Sequence, residues 1–147
     1  MKEKKRRNPP KLTDKIRLLL TEDDAINRLY LKKILVRKGW DVEEAVDGES
    51  ALDKMKHNRY DLVLMDIGLP TMSGLEAASQ FRKIEALSGD YTPILAVSAY
   101  TLPKDIEQCL NAGMDAHISK PISEKQLSQA VYKFTAENSE RMRADHP

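Results

Sequence analysis

Three stretches of this chain are almost unbroken aliphatic sequence: IRLLL at 16–20, DLVLM at 61–65 and PILAV at 93–97. A strand with one wet face alternates apolar and polar residues. Runs like these need cover on both faces, the condition of a strand inside a parallel sheet sandwiched by helices. Two weaker runs, DVEEAV at 41–46 and AHI at 116–118, complete a set of five. Between them the apolar residues shift to helical spacing: Ile26, Leu29, Tyr30 and Ile34 with neighbouring Leu31, then Leu75, Ala78 and Phe81. Ile106, Cys109 and Leu110 give a third stripe, and Leu127, Val131 and Phe134 a last one. Ala51, Leu52 and Met55 mark a shorter helix over 49–57. Gly39, Gly48, Gly89 with Asp90, and Gly113 stand in the gaps, and Ser123 followed by Gln126 reads as a capping box. The pattern predicts five strand–helix alternations around one parallel sheet.

At 147 residues the chain is the size of one domain with its own core. No stretch approaches a membrane span, and the basic start has no apolar run behind it, so it is not a secretory signal. A single cysteine, Cys109, fits a helix-face core position and a reducing compartment, and the chain is read as cytoplasmic. Residues 1–11 carry six basic side chains against one acid, Glu3, and leave the remainder net acidic. Without an aromatic residue to stack on bases, this start reads as a flexible leader or linker over 1–14 and not as a nucleic-acid arm. The expected division is that leader, one domain over 15–136, and a polar tail over 137–147, a frayed helix end or a disordered segment. His57, His117 and His146 have no zinc-site spacing.

In open parallel sheets ligands collect beyond the carboxyl ends of the strands. Thr21-Glu22-Asp23-Asp24 follows the first run, Asp66 the third, Ser98 the fourth and Lys120-Pro121 the fifth. Crowded carboxylates repel, and a hard divalent cation such as Mg²⁺ relieves that with carboxylate and carbonyl oxygens. Lys120 adds a point charge for a phosphoryl oxygen and Ser98 a hydroxyl. The set has the makings of a phosphoryl-transfer site with Asp66 as acceptor. Each residue also has a plainer use: Asp23 or Asp24 as a helix cap, Asp66 opening a turn with Gly68, Ser98 on local backbone, Lys120 on the surface. Four coincidences at the same strand end favour the shared site.

The segments TEDDAINR, MDIGLPTMSG, VSAY and GMDAHISKP, in this order, resemble the receiver domain of two-component response regulators over residues 15–136. The resemblance implies a CheY-like, flavodoxin-like fold with strand order 2-1-3-4-5. It makes Asp66 the phosphorylated aspartate and implies Mg²⁺ (or Mn²⁺) held by Glu22, Asp23, Asp66 and the Gly68 carbonyl. Lys120 would bind a phosphoryl oxygen, with a cis bond to Pro121 fixing its direction. Ser98 and His117 would form the switch pair, although Thr and an aromatic residue are more usual at those positions. Gly68 and Tyr100 fall where access of hydrolytic water is tuned.

The EDDAINR and GMDAHISKP forms are most similar to receivers of hybrid sensor histidine kinases, with a free-standing regulator as the alternative. The implied partner is a histidine kinase or histidine-phosphotransfer protein, docked near Ala25, Ile26 and Leu29, positions that core burial would also explain. Neither nucleic acid nor membrane is an expected direct contact, and a homodimer formed on phosphorylation is compatible with the resemblance. A small phosphatase or phosphotransferase using Asp66 transiently is the rival; such enzymes often place a second acid where this chain has Gly68. A receiver-like binding module without phosphorylation is disfavoured because the whole acid, hydroxyl and lysine set is present. Nucleotide or flavin binding lacks a Gly-rich loop after the first strand.

Overall fold

The computed structural model describes residues 15–99 and 101–145. Each aliphatic run forms a strand: β1 (Arg17–Thr21), β2 (Asp41–Ala45), β3 (Leu62–Asp66), β4 (Ile94–Ser98) and β5 (Ala116–Ser119). All pairings are parallel, in the order β2-β1-β3-β4-β5. The helices are α1 (Ala25–Arg37), α2 (Gly48–His57), α3 (Gly74–Glu85), α4 (Pro103–Asn111) and α5 (Glu124–Asp145).

The central strands alternate between two separate cores, as the period of two requires. Leu19, Val63, Met65, Ile94 and Ala96 face a core completed by Ala51 and Met55 of α2, Ala78 and Phe81 of α3, and Cys109 of α4. Leu18, Leu20, Leu62, Leu64, Leu95 and Val97 face the other, completed by Leu31, Ile34 and Leu35 of α1 and Leu127 and Val131 of α5. Every β3 and β4 residue is buried, whereas edge strand β2 is largely half-exposed.

Asp24 caps α1 by accepting from the Asn27 N–H at 3.0 Å, so of the two adjacent acids Asp23 is the one left for other work. Ser73 caps α3, and the Ser123 hydroxyl accepts from the Gln126 N–H at 3.1 Å, the first half of the expected capping box.

Two outcomes depart from the sequence reading. Leu31, Ile34 and Leu35 carry the core contacts of α1, while Ile26, Leu29 and Tyr30 are 78%, 54% and 50% exposed. Apolar residues fall all round this helix, so spacing alone does not select the buried face. Second, the polar segment from residue 137 is no loose tail within the described residues: α5 runs unbroken to Asp145. Asn138 and Met142 continue the Val131–Phe134 stripe and are 8% and 7% exposed. Asn138 donates to the Tyr91 carbonyl at 2.8 Å, and the Arg141 guanidinium lies over the Tyr91 ring. The Tyr91 hydroxyl donates to Asp115, which also accepts from Arg82 and the Ile94 N–H. This clasp closes the pole of the sheet opposite the strand-end acids. Among the described residues, no helix is long and apolar enough to cross a membrane.

Two glycines are forced by close approach. A Cβ on Gly74 would overlap the Asp66 carbonyl, and one on Gly48 would overlap the Met72 carbonyl. The loop from Asp66 to α3 is therefore seated on bare backbone at both ends.

Candidate functional site

The carboxyl ends of β1, β3 and β5 bring three acids and one lysine together. Parallel registry sets the height of each group: Thr21 pairs with Met65, so Glu22 stands level with Asp66, whereas Asp66 pairs with Val97 and Val97 with Ile118, so Lys120 lies two positions further out and its long side chain reaches back. Lys120 Nζ donates to Glu22 Oε1 and to Asp66 Oδ2, each at 2.8 Å. Glu22, Asp23 and Asp66 each offer a carboxylate oxygen within 4.8 Å of the other two. Glu22 and Asp66 are buried, at 2% and 8% exposure, whereas Asp23 is open to solvent. The second Asp66 oxygen accepts from the Gly68 N–H at 2.9 Å, the turn expected at that position.

One lysine cannot neutralise this pocket. Burial, reinforced by the neighbouring Asp66 carboxylate, pushes the Glu22 carboxyl up to about 7 against the pull of Lys120. Burial acts on Asp66 in the same direction, but hydrogen bonds from Glu22, Lys120 and the Gly68 N–H outweigh it and hold Asp66 below its usual range. Lys120 is likewise desolvated, yet its two carboxylate partners raise it and keep it charged. A site that retains a proton on one buried acid near neutrality has capacity for a further cation. Three convergent oxygens, one of them solvent-facing, suit a hard divalent ion that keeps some of its water.

Ser98, at the end of β4, is 2% exposed, and its carbonyl accepts from the Lys120 N–H at 2.9 Å. The Lys120–Pro121 peptide is cis, as the resemblance implies. His117 pairs in register with Ala96 and is half-buried; its Nε2 is inaccessible to solvent and has no hydrogen-bond partner among the described residues. Tyr100 lies outside the described residues. Arg28, given no role by the sequence reading, reaches back from α1 to the Glu22 carbonyl at 3.0 Å. A long cation one turn into the helix that follows an acidic loop is the one sequence signal that could have pointed to it.

The family model described as "Response regulator receiver domain" matches residues 18–132. A two-component response regulator of rice, ORR41, is 41% identical over 123 residues, covering 81% of this chain and 94% of that protein. Hybrid signal transduction histidine kinase I of Dictyostelium discoideum is 40% identical over 120 residues, 78% of this chain but only 7% of the kinase. Among solved structures, the receiver domain of the Pseudomonas aeruginosa sensor histidine kinase PA1611, with magnesium coordinated in its active-site cleft, has a TM-score of 0.77 and 32% identity. It covers 84% of this chain and 99% of that one. The yeast response regulator Ssk1 receiver domain, crystallised with the histidine phosphotransfer protein Ypd1, gives a TM-score of 0.78 and 28% identity over 86% of this chain and 92% of that one. The five-stranded parallel sheet with its acids and lysine at one end, together with these matches, shows that this chain belongs to the response regulator receiver domain family of two-component phosphorelay signalling.

Proposed function

We propose that Asp66 is the phosphoacceptor of this receiver domain and takes its phosphoryl group from a phosphohistidine. The carrying observation is the convergence of Glu22, Asp23, Asp66 and Lys120, with Lys120 Nζ 2.8 Å from both buried acids. A carboxylate oxygen of Asp66 attacks phosphorus, the P–N bond breaks, and its electron pair returns to the donor imidazole, which then takes a proton. The lowered Asp66 pKa keeps the nucleophile ionised at neutral pH. Lys120, released from Asp66 as the acyl phosphate forms, is in place to bind a phosphoryl oxygen.

Glu22, Asp23, Asp66 and the Gly68 carbonyl would hold Mg²⁺, which when bound offsets the negative charge gathered around the transferring group. The assignment draws on the donor chemistry here and on the magnesium in the PA1611 receiver cleft. Ser98 is the hydroxyl that turns to the phosphoryl group, and His117 is the side chain that follows it, its unpartnered Nε2 leaving it free to reorient.

The partner is a histidine kinase or a histidine-phosphotransfer protein. Its docking face is the exposed α1 surface of Ile26, Leu29 and Tyr30, whose exposure removes core burial as their explanation. The rice regulator supports a free-standing setting and the Dictyostelium kinase a hybrid one; the acceptor chemistry is the same in both. A cytoplasmic setting accords with the unpaired Cys109.

The test is intact mass after incubation with a small phosphodonor, with and without Mg²⁺, beside Asp66→Ala. One Mg²⁺-dependent phosphoryl adduct, absent in the variant, is expected. An adduct that survives Asp66→Ala overturns the acceptor assignment.

A further inference from the structure

We propose that Arg28 is a positioning residue for the acidic pocket: by tying the Glu22 and Asp23 carbonyls to Glu44 of β2, it fixes the directions of the two carboxylates. The chain leaves the sheet after Thr21 and enters α1 at Ala25; the Asp24 carbonyl accepts from the Arg28 N–H at 2.9 Å, and the Glu22 and Asp23 carbonyls before it lie outside both the strand and the helix. Arg28 Nη1 donates to the Glu22 carbonyl at 3.0 Å and leans toward that of Asp23 at 3.4 Å. Its Nε side faces Glu44 Oε1 at 3.4 Å.

Glu44 is itself held, accepting from Lys32 through Oε2 at 3.0 Å and from Lys54 through its backbone carbonyl. The next residue, Ala45, accepts from the Glu22 N–H at 3.1 Å. The Glu22 peptide is thus gripped from both sides by the end of β2. A carbonyl and its own Cβ hang from neighbouring backbone atoms, so fixing one restricts the other. The ion pair by itself, at 21% and 34% side-chain exposure, contributes little. The guanidinium's reach to the two carbonyls is what bears on the pocket.

Charge and positioning predict opposite signs. A cation beside a divalent-ion site repels the ion, so Arg28 acting through charge alone weakens Mg²⁺ binding, and its removal tightens it. Arg28 acting as a positioner strengthens binding, and its loss weakens it by about tenfold, as loss of groups that orient metal ligands does. The inference rests on the proposed Mg²⁺ site.

The experiment is calorimetric Mg²⁺ titration of the full chain, its Arg28→Met and Arg28→Lys variants, and Lys32→Met, with urea midpoints measured on the same samples. Arg28→Met and Arg28→Lys are expected to weaken Mg²⁺ about tenfold, with Lys32→Met, which leaves the carbonyl bonds in place, within about twofold of the parent. Arg28→Lys keeps the charge and the folded state but cannot span two carbonyls and a carboxylate. Undiminished or tighter binding in the Arg28 variants overturns the positioning role. A merely structural Arg28 lowers the urea midpoint without moving the Mg²⁺ affinity, which also overturns it. A parent that takes up no Mg²⁺ removes the metal assignment first, and this inference with it.

Discussion

Replacing Glu22 by Gln should stabilise the metal-free protein, by more as pH rises from about 4.5 to about 7. The buried Glu22 carboxyl is raised from 4.5 to about 7, so folding favours its protonated form. Its contribution is fully present below about pH 4.5, declines as pH rises, and is lost above about pH 7. The rise from 4.5 to about 7 corresponds to roughly 3 kcal/mol of penalty at about pH 8, and to under about 1 kcal/mol at pH 5. Gln keeps the shape and neutrality of the protonated acid and can still accept from Lys120. Asp66, shifted down from 3.8, is ionised in both states at either pH and drops out of the comparison.

The assay is urea unfolding in chelator at both pH values. It can be followed by the fluorescence of Trp40, which is 7% exposed and stands edge-on to Tyr132. Glu22→Gln is expected to exceed the parent by about 2 to 3 kcal/mol at pH 8 and by under about 1 at pH 5. Mg²⁺ at a hundredfold excess over its dissociation constant adds about 2.7 kcal/mol to the parent and far less to the variant, closing the gap. A stability difference independent of pH, or a variant less stable at pH 8, refutes the claim that the ionised Glu22 is under electrostatic and desolvation stress.

The same proton governs the metal: Mg²⁺ affinity should rise about tenfold per pH unit below about pH 7 and level off above it, measured by calorimetry across that range. Arg82 donates to the carbonyls of Gly113 and Thr92 and to the carboxylates of Glu85 and Asp115. Arg82→Met takes its guanidinium from Glu85, which is 4% exposed, and should cost about 3 to 5 kcal/mol in urea unfolding while leaving Mg²⁺ affinity unchanged. Ile26→Glu should leave labelling by a small phosphodonor intact and slow transfer from a phosphohistidine protein at least about tenfold, because it charges the exposed α1 face alone. Gly48→Ala should lower stability by about 1 to 3 kcal/mol and also slow Mg²⁺-dependent adduct formation, since its methyl displaces the Met72 carbonyl.

The strands were legible because burial on both faces leaves a signature that needs no partner to be recognised, as in LVLM before Asp66. The strand-end acids and Lys120 were legible for a related reason: topology alone puts those positions together. The outward face of α1 was hidden because Ile26, Leu29 and Tyr30 are as apolar as Leu31, Ile34 and Leu35, and a helix with apolar residues spread all round it has no preferred side to read. The end of α5 was hidden by one polar residue. Asn138 interrupts the stripe that Met142 resumes, and its reason for burial is a backbone carbonyl 47 positions away. Arg28 was overlooked because the contacts that bear on the pocket are to the Glu22 and Asp23 carbonyls, and backbone atoms have no letter in a sequence.

The two glycine seats under the loop after Asp66 carry a consequence for how damage to this protein would look. Gly48 stands outside the acid–lysine set and titrates nothing, yet any side chain there pushes on Met72 and through it on the loop that begins at Asp66. A survey of inactivating mutations would score such a change as a generic folding defect, while signalling fails even in the molecules that fold. Where bare backbone touches bare backbone, the difference between a scaffold position and a signalling position disappears.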